Sequence, residues 1–424
     1  MSTGFQSPDW SRDTNIYEVN LRQYSPEGSF AAFAKEMPRL KDMGVETLWF
    51  MPITPISVYK RKGSLGSYYA CADYQGVNTE FGNLDEFCGL VRDAHGLGFK
   101  VIIDWVANHT GWDHIWTREH PEYYVKDGGG GFTEKNGWED VIDLDYGNQE
   151  MRGALIDAMK FWVEKCDIDG FRCDMAHLVP LDFWKTARAA LEPLKNLFWL
   201  AECEEISYHE VFDATYTWRW MHKTEELAKG QTNPDGLWEL LGQYDAEFPP
   251  NVFRAYFTSN HDENSWNGTE YEKYGPGAIP LAVFSCAYNG LPLIYSGQEL
   301  PNLKRLLFFD KDPIAWKGNC ALHDFYKKLL SLRKRNKALR AGDDQVRTLR
   351  LHSDKLMQLF GFSRRNGDSE VVVLLNLSAG YLEAGIGGNG LGGIFKDTFS
   401  EDHIDLGSLK QVNLEPWGFL VLEK

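Results

Sequence analysis

The sequence predicts an α/β chain: a (β/α)8 barrel with a short inserted loop after its third strand and a C-terminal antiparallel β-sandwich domain. Three observations lead to this. Short apolar runs alternate with helical patterns over most of the 424 residues. One connection, from about Thr110 to Asp143, is long and irregular. From about Asp343 the texture changes to β-like runs separated by turn signals.

The expected strands are Ile16–Tyr24, Thr47–Met51, Lys100–Val106, Ile168–Met175, Phe198–Cys203, Phe212–Trp218, Val252–Ser259 and Leu291–Tyr295. Several are continuously apolar, as parallel strands covered on both faces must be. Helical patterns fall between them at Phe30–Met43, Leu84–Leu97, Gln149–Cys166, Leu181–Leu191 and Ala278–Tyr288. The barrel thus occupies 1–109 and 144–342, the insert 110–143 and the β domain 343–424. The insert contains Gly128-Gly-Gly-Gly131 and several aromatics, and a loop of that length inside a compact domain is usually functional. The β domain is read from Leu356–Phe362, Glu370–Leu377 and Trp417–Leu422, with a Gly-rich stretch at Gly385–Gly393.

Composition narrows the function. With 44 basic and 61 acidic residues the net charge is −17, which repels phosphate backbones and argues against nucleic acid. No apolar run is long enough to span a membrane. The N-terminal segment lacks a basic stretch followed by an apolar one, so a cytoplasmic location is expected. The cysteines are Cys71, Cys88, Cys166, Cys173, Cys203, Cys286 and Cys320. Their odd number and unpaired spacing argue against a disulfide framework and lack zinc-ligand spacing, so reduced thiols are expected. Fifteen Trp and 19 Tyr are more than a core needs and suit a sugar cleft, where pyranose C–H faces lie on indole.

In such a barrel the active site forms at the C-terminal ends of the strands. Asp104-Trp-Val-Ala-Asn-His109 follows the third strand and Gly170-Phe-Arg-Cys-Asp-Met-Ala-His177 the fourth. Ala201-Glu-Cys203 follows the fifth and Ser259-Asn-His-Asp262 the seventh. Four strand ends therefore deliver the carboxylates Asp104, Asp174, Glu202 and Asp262, with His109, Arg172 and His261. One Asp at a strand end is commonly a helix cap. Charged groups converging on one mouth are costly to desolvate, and the fold does not need them there. Glycoside hydrolysis needs two carboxyl groups across the scissile bond. Arg172 lies two residues before Asp174, on the same side of an extended strand, where its guanidinium is expected to favour ionised Asp174. Glu202 must instead be protonated to act as an acid. Spacing alone leaves open which carboxylate plays which part.

These segments, in this order, resemble the signature regions of the α-amylase family of glycoside hydrolases. The likeness runs over residues 10 to 424 and includes Asp143-Leu-Asp145, Gly66-Ser-Tyr-Tyr-Ala-Cys-Ala-Asp-Tyr74 and Gly290-Leu-Pro-Leu-Ile-Tyr-Ser-Gly-Gln-Glu299. The resemblance implies Asp174 as nucleophile, Glu202 as acid/base and Asp262 as the group that binds sugar hydroxyls and helps distort the ring. Arg172 would orient the nucleophile, His109 and His261 would hydrogen-bond the sugar before the cut, Tyr69 would stack on it, and Asp104 would support Arg172. It implies retention, with the two carboxyl groups about 5 Å apart.

The chain departs from that pattern at His177-Leu178, where many α-amylases have Lys-His, one of them tied to calcium. Asn108 matches a usual calcium ligand, and Asp140 and Asp143 offer oxygens, but in no recognisable array. No cofactor is expected to be required. Cys203 reads as a small packed residue. Asn108-His-Thr110 fits a glycosylation pattern at a position expected to be buried. Trp112, Trp138, Trp218 and Trp266 are candidate sugar platforms. The expected activity is retaining hydrolysis of α-1,4-glucans or maltooligosaccharides. The rivals are a transglycosylase or sucrose- or trehalose-active relative, and a non-catalytic sugar-binding relative. Oligomeric state is not legible.

Overall fold

The computed structural model describes residues 4–316, 318, 320–387, 391–409 and 411–424. Part of the Gly-rich stretch and the first three residues of the chain lie outside these.

Eight parallel strands close a barrel: β1 (Ile16–Val19), β2 (Thr47–Phe50), β3 (Lys100–Trp105), β6 (Gly170–Cys173), β7 (Phe198–Ala201), β8 (Ala214–Tyr216), β9 (Phe253–Tyr256) and β10 (Leu291–Tyr295). Between β3 and β6 the chain forms a small antiparallel pair, β4 (His109–Gly111) and β5 (Val141–Asp143), with His109 opposite Asp143. All eight expected barrel strands are present, several of them shorter than expected. The first ends at Val19, and a helical turn Leu21–Tyr24 follows. The expected helix Phe30–Met43 is two helices, Phe30–Ala34 and Met37–Met43. Three helices lie outside the expected set: Trp218–Ala228, Pro234–Glu247 and His323–Arg335. The first begins where the sequence reading had the sixth strand ending.

Strand parity sorts the core into two shells. Ile16, Trp49, Ile102, Phe198, Leu200, Phe253 and Leu293 fill the barrel interior. Their neighbours Tyr17, Leu48, Ile103, Trp199, Tyr256 and Ile294 face outward and pack under the helices. This is period-two alternation with both faces apolar. Gly170 has a steric role: a Cβ there would stand 2.0 Å from the Phe198 carbonyl oxygen, so a side chain would push β6 and β7 apart.

Two outer helices are joined covalently. Helix Leu84–Gly96 lies against helix Gln149–Cys166, and Cys88 and Cys166 form a disulfide with 4.5 Å between their Cα atoms. This corrects the expectation of reduced thiols throughout. The partners are 78 residues apart and meet only because successive helices are neighbours around a barrel, which sequence spacing does not show. Cys71, Cys173, Cys203 and Cys286 are free and buried, and Cys320 is free and half-buried.

The C-terminal part has a six-stranded sheet and a three-stranded sheet. The first contains β11 (Arg347–Arg350), β13 (Leu359–Asn366), β14 (Ser369–Asn376), β16 (Ile394–Asp397), β17 (His403–Asp405) and β19 (Phe419–Glu423). The second contains β12 (His352–Ser353), β15 (Leu382–Gly387) and β18 (Gln411–Leu414). Val372, Leu374 and Leu422 of one sheet share a buried cluster with Leu382, Ala384 and Val412 of the other, as in a sandwich. Among the described residues no helix is long and apolar enough to cross a membrane.

Candidate active site

The inward parity of the strands continues past their apolar layer into charge. Glu18 follows Ile16, Asp104 follows Ile102, Arg172 and Asp174 follow Gly170, and Glu202 follows Leu200, each two residues on. The polar cluster is therefore the top layer of the barrel interior, and all five residues are buried.

Arg172 is its hub. Its Nη1 donates to Asp104 Oδ1 at 3.0 Å and Oδ2 at 3.1 Å, and to Asp174 Oδ1 at 3.1 Å. Its Nη2 lies 2.9 Å from Glu202 Oε2, within ion-pair distance but without hydrogen-bond alignment. Its Nε donates to Tyr216 Oη at 3.3 Å, and the guanidinium carbon sits 4.9 Å from the centre of a Trp49 ring. Trp49 Nε1 and Tyr69 Oη both donate to Asp104 Oδ2, each at 3.2 Å. Asp104 thus anchors Arg172, as expected.

Beside Asp174 the backbone turns sharply. Met175 has φ 39° and ψ 47°, the left-handed region a side chain adopts only under constraint. The turn aims the Met175 N–H at Glu202 Oε2, 2.9 Å away. Asp174 and Glu202 are further tied through the strands, by Asp174 N–H to the Trp105 carbonyl and Glu202 N–H to the Cys173 carbonyl, both at 3.0 Å.

His261 bridges two carboxylates. Its Nδ1 meets Glu18 Oε1 at 2.5 Å and its Nε2 meets Asp262 Oδ2 at 3.0 Å, with Tyr69 Oη 2.7 Å from the same nitrogen. Burial favours the neutral ring, but Asp262 and Glu18 outweigh it and hold His261 protonated. Burial likewise raises Asp262, yet the His261 cation prevails and its carboxyl stays below the usual range.

Asp174 differs from expectation. Burial, then the charge of Glu202, pushes its carboxyl well up, and Arg172 only partly opposes them. Burial also pushes Asp104 up to about 6 against Arg172 and His261. Five carboxylates share two cations, so the guanidinium does not suffice to hold every neighbour ionised. His109 stays neutral, since burial lowers it to about 4. Its ring meets Trp138 edge-on at 5.4 Å.

The cluster opens into two cavities. The first, about 420 Å³, is lined by Asp174, Glu202, Asp262, Tyr69, His109 and Met175, with Trp138 and Trp266 on its walls. The second, about 460 Å³, shares Met175 and Glu202 with it and adds His177, Cys203, Trp218 and His222. Trp138, Trp218 and Trp266 therefore line sugar-sized space. Trp112 lines neither cavity; Lys60 Nζ covers its face at 3.3 Å. Every residue expected at the site is brought there except Asn108, discussed next. The sequence reading missed Glu18, Trp49, Tyr216 and Phe308. Glu18 carries a signal, as a lone carboxylate in the apolar run Ile16-Tyr-Glu-Val19. Phe308 reaches the cavity from an irregular segment whose path nothing in its own sequence indicates.

The residues present do not fit a calcium ion. The Asn108 amide faces His109 Nδ1 at 3.1 Å, and Asp140 is ion-paired with Lys62. Asp143 keeps one buried oxygen without a donor, but burial raises its carboxyl against the opposing Lys135 charge. Calcium takes about 6–8 oxygens. Among the described residues no group of three or more His, Cys, Asp or Glu stands ready to hold a metal.

A closed parallel barrel with a carboxylate-rich mouth and an arginine between the two central acids defines a class of glycoside hydrolase fold. Residues 8–140 and 130–215 match the family model described as alpha amylase, catalytic domain. The noncanonic maltogenic α-amylase AmyB of Thermotoga neapolitana is 29% identical, with a TM-score of 0.89 over 97% of this chain and 98% of that one. An α-amylase of Lactobacillus plantarum is also 29% identical, with a TM-score of 0.87 over 97% of this chain and 99% of that one. The α-amylase MalA of Haloarcula japonica is 25% identical over 393 residues, 88% of this chain. The present chain spans 57% of that protein's length. The chain belongs to the α-amylase family of glycoside hydrolases.

Proposed function

We propose that this protein is a retaining glycosidase acting on the α-1,4 bonds of maltooligosaccharides or starch-like glucans. The observation that carries the reading is the division of labour between the cavities. Asp174 lines only the first, whereas Glu202 lines both. A nucleophile must reach the anomeric carbon of the sugar it retains, and an acid must reach the oxygen shared with the departing sugar. Only this assignment of the two carboxyls satisfies both conditions. In the first step an Asp174 oxygen bonds to the anomeric carbon while the bond to the glycosidic oxygen breaks, and Glu202 gives that oxygen its proton. Water, losing a proton to Glu202, then displaces Asp174. Asp262 accepts hydrogen bonds from the ring hydroxyls, His109 and the His261 cation position the same sugar, and Tyr69 stacks on it.

Transfer to a second sugar shares the first step. The second cavity, with Trp218 as a platform, offers an acceptor site and favours transfer as a second reading. A chromatographic time course on starch and maltoheptaose tests both. Shorter maltooligosaccharides alone indicate hydrolysis, and products longer than the substrate indicate transfer. No turnover of either, with Asp174→Asn indistinguishable from the parent, excludes the proposal.

A further inference from the structure

The first cavity is closed at the end away from Glu202. Three separate segments meet there. Lys62, after β2, reaches Asp140 of the insert, with Nζ 3.0 Å from Oδ1. The next residues join the segment after β10: the Ser64 N–H donates to Asp310 Oδ1 at 2.7 Å and the Leu65 N–H to the Phe309 carbonyl at 3.0 Å. The approach is so tight that a Cβ on Gly63, at φ +62°, would stand 2.6 Å from Phe309 Cβ. Asp113 of the insert accepts from the Val58 and Tyr59 N–H groups at 3.0 and 3.1 Å, tying the same two segments a second time. Lys62, Asp140 and Phe309 all line the cavity.

We propose that this wall makes the enzyme attack glucans from their non-reducing ends, with Lys62 and Asp140 as the residues that set that specificity. The inference rests on the assignment of Asp174 and Glu202 given above. The cavity that Asp174 lines must hold the sugar whose anomeric carbon is attacked. In an α-1,4-glucan, everything beyond that sugar on its own side runs towards the non-reducing end. A closed pocket there accepts a chain terminus and rejects a chain that continues. The second cavity, on the Glu202 side, receives the rest of the polymer. Lys62 donates and Asp140 accepts, so the pair offers both hydrogen-bonding senses to the terminal hydroxyls. Asp140 is buried while the Lys62 side chain is 34% exposed, so Lys62 can be changed with little disturbance to the core.

The test compares p-nitrophenyl maltoheptaoside with the same compound carrying a benzylidene acetal on its non-reducing terminal glucose. Both are followed chromatographically as kcat/KM. The parent enzyme should cleave the free substrate faster by about tenfold or more, the scale of discrimination that steric exclusion in a pocket supplies. Lys62→Ala and Asp140→Asn should each raise the blocked-to-free ratio several-fold and lengthen the products first released from the free end. Lys62→Met keeps the aliphatic stem without the ion pair and should fall between them. Thermal melting establishes that each variant is folded, and the Lys62 variants carry the test if Asp140→Asn unfolds. Equal rates on both substrates for the parent overturn the proposal. So does an unchanged ratio in the folded variants. Failure to cleave either substrate instead removes the reading of function on which the proposal rests.

Discussion

Arg172 holds together carboxylates that otherwise repel one another. Arg172→Ala leaves Asp104, Asp174 and Glu202 buried without their shared cation, which costs about 3–5 kcal/mol for a broken buried pair. The loss should depend on pH. Removing the cation raises the carboxyl pKa values of the folded state further above their unfolded values. The folded state then binds protons that the unfolded state does not, so the variant should regain stability as pH falls from 7 towards 5. Denaturant melts at both pH values measure this, and a deficit equal at both contradicts it. Asp174→Asn and Glu202→Gln should lower turnover on maltoheptaose by several orders of magnitude. Because burial already disfavours ionised Asp174, Asp174→Asn should melt no lower than the parent. The raised Asp174 carboxyl also moves the acid limb of the rate profile: kcat/KM should begin to fall on acidification at a higher pH than an ordinary Asp dictates.

Single elements carry the covalent tie and a histidine trapped neutral. The Cys88–Cys166 disulfide closes a long loop between two outer helices, so its reduction should cost about 2–4 kcal/mol. Melting with and without dithiothreitol, beside Cys88→Ser, reads it; identical curves mean that the bond contributes nothing. His209, in the turn before β8, is lowered to about 4 by burial, with the Phe212 carbonyl opposing. Its folded pKa lies below its unfolded value near 6.5, so its contribution is present above pH 6.5 and lost as pH falls towards 4. His209→Gln should remove up to about 3 kcal/mol of that acid sensitivity. Elements were legible where their pattern was long, as in the helix Gln149–Cys166. They were less so where a strand is three residues long. β8 and the helix that begins at Trp218 share an aromatic stretch that periodicity alone does not divide.

At the scale of the molecule, the closed wall over the first cavity and the unfitted calcium position distinguish this chain from what resemblance alone suggests. Chelation should leave melting temperature and activity unchanged, and a loss restored by calcium alone contradicts that. The sequence by itself determined the barrel, because parallel strands covered on both faces must be apolar runs separated by helices. It also determined the four acidic strand ends, because polar groups at the close of apolar strands have few places to go but the mouth. Only the tertiary structure decided how those charges share two cations, because burial and proximity depend on which strands are neighbours. The disulfide and the Lys62–Asp140 closure are decisions of the same kind. Each joins residues from separate segments that meet only when the barrel closes, and nothing in either segment's own pattern names its partner.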